Sequence, residues 1–236
     1  MKHKIVSALV AVIFFVTVYA NLGWHQLILF VAVEIIIAAA YNTFYLKSQK
    51  GYYWSAIRFA MLEASIALLA LILPEGFRFI PLAICALLLY FSEFLIAEVS
   101  EQLLFIETLL IFFGFAMGIY AISFYFAPSS TIIIGTLFIS SALAARCGFD
   151  PIPRSGREKM FYSLLIGLSV SEIGWGLLLL PLHFTALAVI AFNVFYVLWM
   201  LSYFHFHYNI TFKKILFHIS FSAALMIIAL ATTPLK

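Results

Sequence analysis

Charge is scarce in this 236-residue sequence: Asp, Glu, Lys and Arg make up 10% of it, against roughly 25% in a typical soluble domain. A water-soluble fold of this length needs a far larger polar shell, which excludes that class. Cysteine is nearly missing. Cys85 and Cys147 are the only two, one inside an apolar block and one at the end of another, and no CxxC spacing occurs. That pattern argues against a disulfide framework and against a cysteine-built zinc or redox centre. Long polar stretches are missing as well. The longest, residues 146–159, leaves no room for a water-soluble domain, so any site must lie between helices or in short loops. The formal net charge of +3 is weak and dispersed, which gives no footprint for nucleic acid.

What the chain has instead is hydrocarbon. Hydrophobic residues make up 66% of it and come in successive blocks of about 20, the length at which a helix crosses a bilayer. A membrane β-barrel would show shorter segments alternating apolar and polar. Residues 109–127 and 189–203 are apolar on nearly every face, so their backbone groups are best satisfied within helices. The fold class is therefore all-α, a polytopic transmembrane helical bundle in one domain, residues 1–236, embedded in the lipid bilayer of a cell membrane (the inner membrane in a diderm bacterium).

Nine spans are expected, at residues 5–20, 24–46, 53–73, 77–97, 102–127, 131–145, 160–180, 184–204 and 212–231. The first also carries the marks of a secretory signal peptide: Lys2 and Lys4, an apolar run and Val18-Tyr19-Ala20. Only residues 21–25 separate it from the next block, which favours a retained span; cleavage would leave eight. Pro74-Glu75-Gly76 and Pro181 are expected to end the third and seventh spans. Pro128-Ser129-Ser130 offers serine caps to the sixth. Ser155 and Glu158 have capping-box spacing, and Thr211 stands as N-cap of the last span.

Positive charge falls to one side of this layout. Lys2, Lys4, Lys47, Lys50, Arg146, Arg154, Arg157, Lys159, Lys213 and Lys214 share a face, with Arg58 slightly inside it, while Arg78 and Lys236 lie opposite. The positive-inside rule makes that face, and the N-terminus, cytoplasmic. Residues 53–127 and 160–232 also echo one another, with Glu63 before Pro74 and Glu172 before Pro181. Both sets enter from the same side, so a duplication would be parallel.

Ionisable residues inside spans are expensive, roughly 2.5–3.5 kcal/mol for an Asp or Lys at mid-helix, so they face the interior and either pair or stay neutral. Glu34, Glu63 and Glu172 fall near the middle of their spans, and Asn193 adds a buried amide. Together they suggest a pathway for a proton, a cation or a small solute. A second polar cluster lies toward the cytoplasm: Arg58, Glu93, Glu107, His205, His207 and His218. Arg58 is the counter-charge expected for Glu93 or Glu107. Carboxylate and imidazole can also relay protons or ligate a metal, but no HExxH or other metal signature occurs. Gly114 and Gly118 form a GxxxG, and Gly174 and Gly176 thin the helix around Trp175.

Three functions compete. A transporter-like protein comes first, a structural or assembly subunit with a membrane-protein partner or further copies of itself second, and an intramembrane enzyme acting on a lipid-like substrate third. No nucleophile or metal signature supports the enzyme, and no cofactor is called for.

Overall fold

Backbone groups surrounded by apolar side chains close their hydrogen bonds within one segment, and runs of Leu, Ile, Ala and Phe therefore coil into helices. The computed structural model describes residues 52–72, 101–207 and 211–232, with Val12, Val33 and Ile36 as isolated helical positions. The elements there are six helices: α1 Tyr52–Ile72, α2 Glu101–Phe126, α3 Ser130–Gly148, α4 Gly156–Leu177, α5 Phe184–Phe206 and α6 Phe212–Thr232. Five of them, α2 to α6, are long and apolar enough to cross a membrane. The protein is thus a membrane-embedded, multi-pass helical protein. The spans expected at 5–20, 24–46 and 77–97, the signal-peptide reading, Glu34 and Glu93 lie outside the described residues. So does part of the first repeat unit, residues 53–127.

Helix ends follow local chemistry, with three departures from expectation. The Ser155 hydroxyl accepts from the Glu158 N–H at 3.2 Å and opens α4, and the Thr211 hydroxyl accepts from Lys214 N–H at 3.4 Å and opens α6. Ser129 holds the N-cap position of α3, yet its side chain makes no capping bond; only its carbonyl bonds forward, to Ile132 and Ile133. Pro181 is not the residue at which α4 stops. The helix ends at Leu177, and Leu178, Leu179 and Leu180 donate to carbonyls three residues back, because a proline disfavours helical geometry in the residue before it. α3 runs on to Gly148, past the expected end at residue 145. Its basic last turn, Arg146, suits the negative pole of the helix dipole.

The chain divides into two units, residues 1–111 and 112–236, with the boundary inside α2. In the first, α1 and the start of α2 bury Phe59, Leu62, Ile66, Leu104 and Ile111. In the second, α3 packs on α4, α4 on α5 and α5 on α6. The α3–α4 contact is the tightest. A Cβ on Gly167 would sit 2.9 Å from Ala142 Cβ and 3.0 Å from the Phe138 carbonyl oxygen; one on Gly174 would meet Leu137 Cδ1 at 2.6 Å and the Tyr120 hydroxyl at 3.1 Å. Ser163, Gly167, Ser171 and Gly174 form the buried small-residue stripe that allows this approach. Gly176, expected to share that role, has nothing within 4 Å of its would-be Cβ.

An aromatic column lines the second unit. Phe112 stacks on Phe195 at 4.2 Å between centroids, Phe195 on Trp199 at 6.4 Å, and Trp199 on Phe149 at 6.1 Å. Phe149 begins the α3–α4 loop, which polar contacts hold down. Lys159 Nζ donates to the Asp150 carbonyl at 2.6 Å, Arg146 pairs with Asp150 at 3.4 Å, and Arg154 donates to the Phe206 carbonyl through Nε and Nη2 at 3.1 and 2.8 Å. Phe206 ends α5, and Arg154 fills a carbonyl that the helix leaves without an intrahelical donor.

Gly167→Ala is expected to destabilise by about 1–3 kcal/mol, because a backbone oxygen and a Cβ cannot rotate away and the helices must part. Gly176→Ala is expected to be neutral or stabilising by up to about 1 kcal/mol, the gain in helix propensity. Thermal unfolding in detergent, read by loss of the monodisperse peak, separates the two.

Candidate functional site

Two polar centres lie within the described helices, one in each unit. In the first unit, Arg58 enters one third of the way along α1, and its Nε stands 3.1 Å from Glu107 Oε2 on α2. Both side chains are buried, at 5% and 0% exposure, which removes the screening that makes surface pairs weak. Glu107 is one of the two acidic partners expected for Arg58; the other, Glu93, lies outside the described residues. Glu63 sits at the middle of α1 and is fully buried. It lies about 7.5 Å along the axis from Arg58, at 1.5 Å per residue. The hydroxyls nearby do not compete for these charges: Ser65 donates to the Leu62 carbonyl and Thr108 to that of Leu104, each at 2.8 Å.

The second centre lies between α5 and α6. The Tyr196 hydroxyl and His218 Nδ1 are hydrogen-bonded at 2.6 Å. His218 also packs against Phe204 and Phe217, and Lys214 Nζ lies 5.3 Å above the Phe204 ring. Asn193, fully buried one turn before Tyr196, donates from Nδ2 to the Val189 carbonyl at 2.8 Å. Lys214, His218 and Ser222 recur every four residues and so share one face of α6, the face turned to α5.

The remaining expected residues are dispersed. Glu172 lies on the exposed face of α4, among Leu165, Leu168 and Trp175. His205 and His207 are both exposed; the first rests 5.3 Å from the Tyr162 ring and the second 4.4 Å from that of Tyr203. His218 is the one histidine of the three turned into a helix interface by a hydrogen bond to another helix. Among the described residues no group of three or more His, Cys, Asp or Glu stands together as a metal site would require.

Sequence reasoning missed Tyr196 and Ser222. Tyr196 looked like one aromatic among many in an apolar helix, and its signal is the pairing with a histidine that only chain folding brings near. Ser222 had a readable signal in the four-residue recurrence after Lys214 and His218. The chain matches no family model, no curated protein and no solved structure.

Opening the Arg58–Glu107 pair strands a charge in a dry interior. Arg58→Met and Glu107→Leu are each expected to cost about 3–5 kcal/mol, and the double variant less than the sum, as for a buried pair whose desolvation offsets much of its attraction. A double-mutant cycle on detergent-solubilised protein measures that coupling; strict additivity would mean that the pair does not form.

Proposed function

We propose that this protein is a small multi-pass transporter of the cell membrane that moves protons, a cation or a small solute through its polar interior. The observation that carries the reading is the fully buried Glu63 in the middle of α1, next along that helix from the buried Arg58–Glu107 pair. An intramembrane carboxyl is costly unless it pairs or holds a proton, and such residues mark ion and proton pathways. Glu34 and Asn193 belong to the same reading as further pathway residues; Glu172, expected beside them, stands on the exposed face of α4 and does not support it. The finer architecture proposed with it has nine spans, a cytoplasmic N-terminus and two parallel units at residues 53–127 and 160–232.

A second reading, an assembly subunit, draws support from a different residue. Glu172 sits on the exposed face of a span, and beside it Gly176 leaves open space where another helix could approach closely. Small residues and polar side chains are what hold membrane helices together in the absence of a hydrophobic driving force.

The transport reading is tested in liposomes with an entrapped pH-sensitive dye or loaded with sodium or potassium. The expected result is flux from the intact protein that falls to the level of empty liposomes in Glu63→Gln. No flux of proton, sodium or potassium from the intact protein sinks the ion reading. Mild solubilisation followed by native mass analysis addresses the other. Recovery of a reproducible heteromeric partner, lost in Glu172→Leu, is the outcome expected of an assembly subunit; a lone monomer rejects it.

A further inference from the structure

Among the described residues, buried serine and threonine hydroxyls follow a rule with one exception. Ser65, Thr108, Ser140, Ser141, Ser163, Ser171 and Ser202 all donate to a carbonyl three or four residues back on their own helix. This back-bonding is how a serine or threonine stays satisfied inside an apolar helix. Ser222 does not do it. Its Oγ is buried and has no hydrogen-bond partner in the protein. It is also the single buried residue of α6, whose other positions are open or half-covered. The one position that this outer helix turns fully inward is therefore polar.

The facing helix carries a matching group. Asn193 is fully buried and its Nδ2 is satisfied by Val189, but its Oδ1 accepts nothing. The register of the two helices puts these atoms in one layer. Phe204 of α5 meets Lys214 and His218 of α6, and Tyr196 meets His218 and Phe221, so α5 and α6 run antiparallel. One turn further along α5 from Tyr196 is Asn193, and the residue after Phe221 is Ser222. An acceptor without a donor and a hydroxyl without either thus stand at the same depth. Acyl chains can satisfy neither, and buried polar groups of this kind are paired with ordered water.

We propose that the α5–α6 interface holds a bound water that bridges the Asn193 carbonyl and the Ser222 hydroxyl, one turn from the hydrogen-bonded Tyr196 and His218. The ligand is neutral. Neither α5 nor α6 contains an Asp or Glu, while Lys213 and Lys214 begin α6, so a cation would have no counter-charge there. An anion is excluded by the site's own atoms, since the Asn193 oxygen can only accept. A molecule that donates to Asn193 and exchanges a hydrogen bond with Ser222 meets both demands, and the Tyr196 oxygen offers it a third partner. The site goes beyond the transport reading; the two share Asn193, but bound water is read without any flux.

Hydroxyl-radical labelling by X-ray radiolysis of the intact protein in lipid nanodiscs reports bound water directly, because radicals formed from it modify adjacent side chains. Tyr196 is expected to label several-fold faster than Tyr120, which is also buried, at 1% exposure against 8%, but bonded to the Gly174 carbonyl. Ser222→Ala combined with Asn193→Leu is expected to remove that excess and leave Tyr162 unchanged. Equal labelling of Tyr196 and Tyr120 in the unmutated protein overturns the proposal, and that comparison needs no variant to fold. Labelling of Tyr196 that persists in the double variant overturns it too, since the water would then be held elsewhere.

Discussion

Peptide groups placed in hydrocarbon have no solvent to turn to, and every other feature of this protein is arranged around that condition. It makes each segment a helix before any tertiary contact forms. It also removes the usual reason for helices to associate, since lipid tails are as apolar as leucine. Cohesion must come from close approach and from polar contacts. α3 and α4 show the first, with Gly167 allowing the backbone of Phe138 and the Cβ of Ala142 to come as near as a side chain would forbid. α5 and α6 show the second, joined by a tyrosine–histidine hydrogen bond and by a lysine over a phenylalanine ring.

Polar groups are accordingly placed in three ways. Most buried hydroxyls bond to their own helix and present an apolar outline to their neighbours, which lets a serine serve as a small residue at a tight contact. Charged side chains at the α3–α4 loop reach backbone carbonyls, as Lys159 does with Asp150 and Arg154 with Phe206, and so close the end of a helix as well as pinning the loop. Deep charges pair, as Arg58 does with Glu107. The Ser222 hydroxyl and the Asn193 carbonyl oxygen follow none of these patterns.

The outer surface obeys the same chemistry. α6 exposes Phe212, Phe217, Phe221 and Ile227, and α4 exposes Phe161, Leu168 and Trp175, side chains suited to acyl chains. Glu172 interrupts that surface. It is exposed on α4 whereas Glu63 is buried on α1, which distinguishes two carboxyls that equal depth in the sequence had made look alike.

The blocks of apolar residues, read alone, were enough to locate α1, α2, α5 and α6 to within a residue or two, because helix length in a membrane is fixed by its thickness and short-range caps such as Ser155 and Thr211 act within one turn. They were less able to locate the end of α4, where a proline acts on the residues before it, or the far end of α3, which runs through Arg146 into a loop. Which face of a helix is inward was not legible in segments apolar all round. Gly167 and Gly176 are chemically identical, and only the arrival of α3 against one of them gives it a role. Arg58 had two acidic candidates at similar depth, and the fold brought Glu107 to it. Local hydrogen bonding and hydrophobic length are properties of a short stretch of chain, so sequence determined them; partners distant along the chain depend on how helices dock, and the tertiary structure alone decided those.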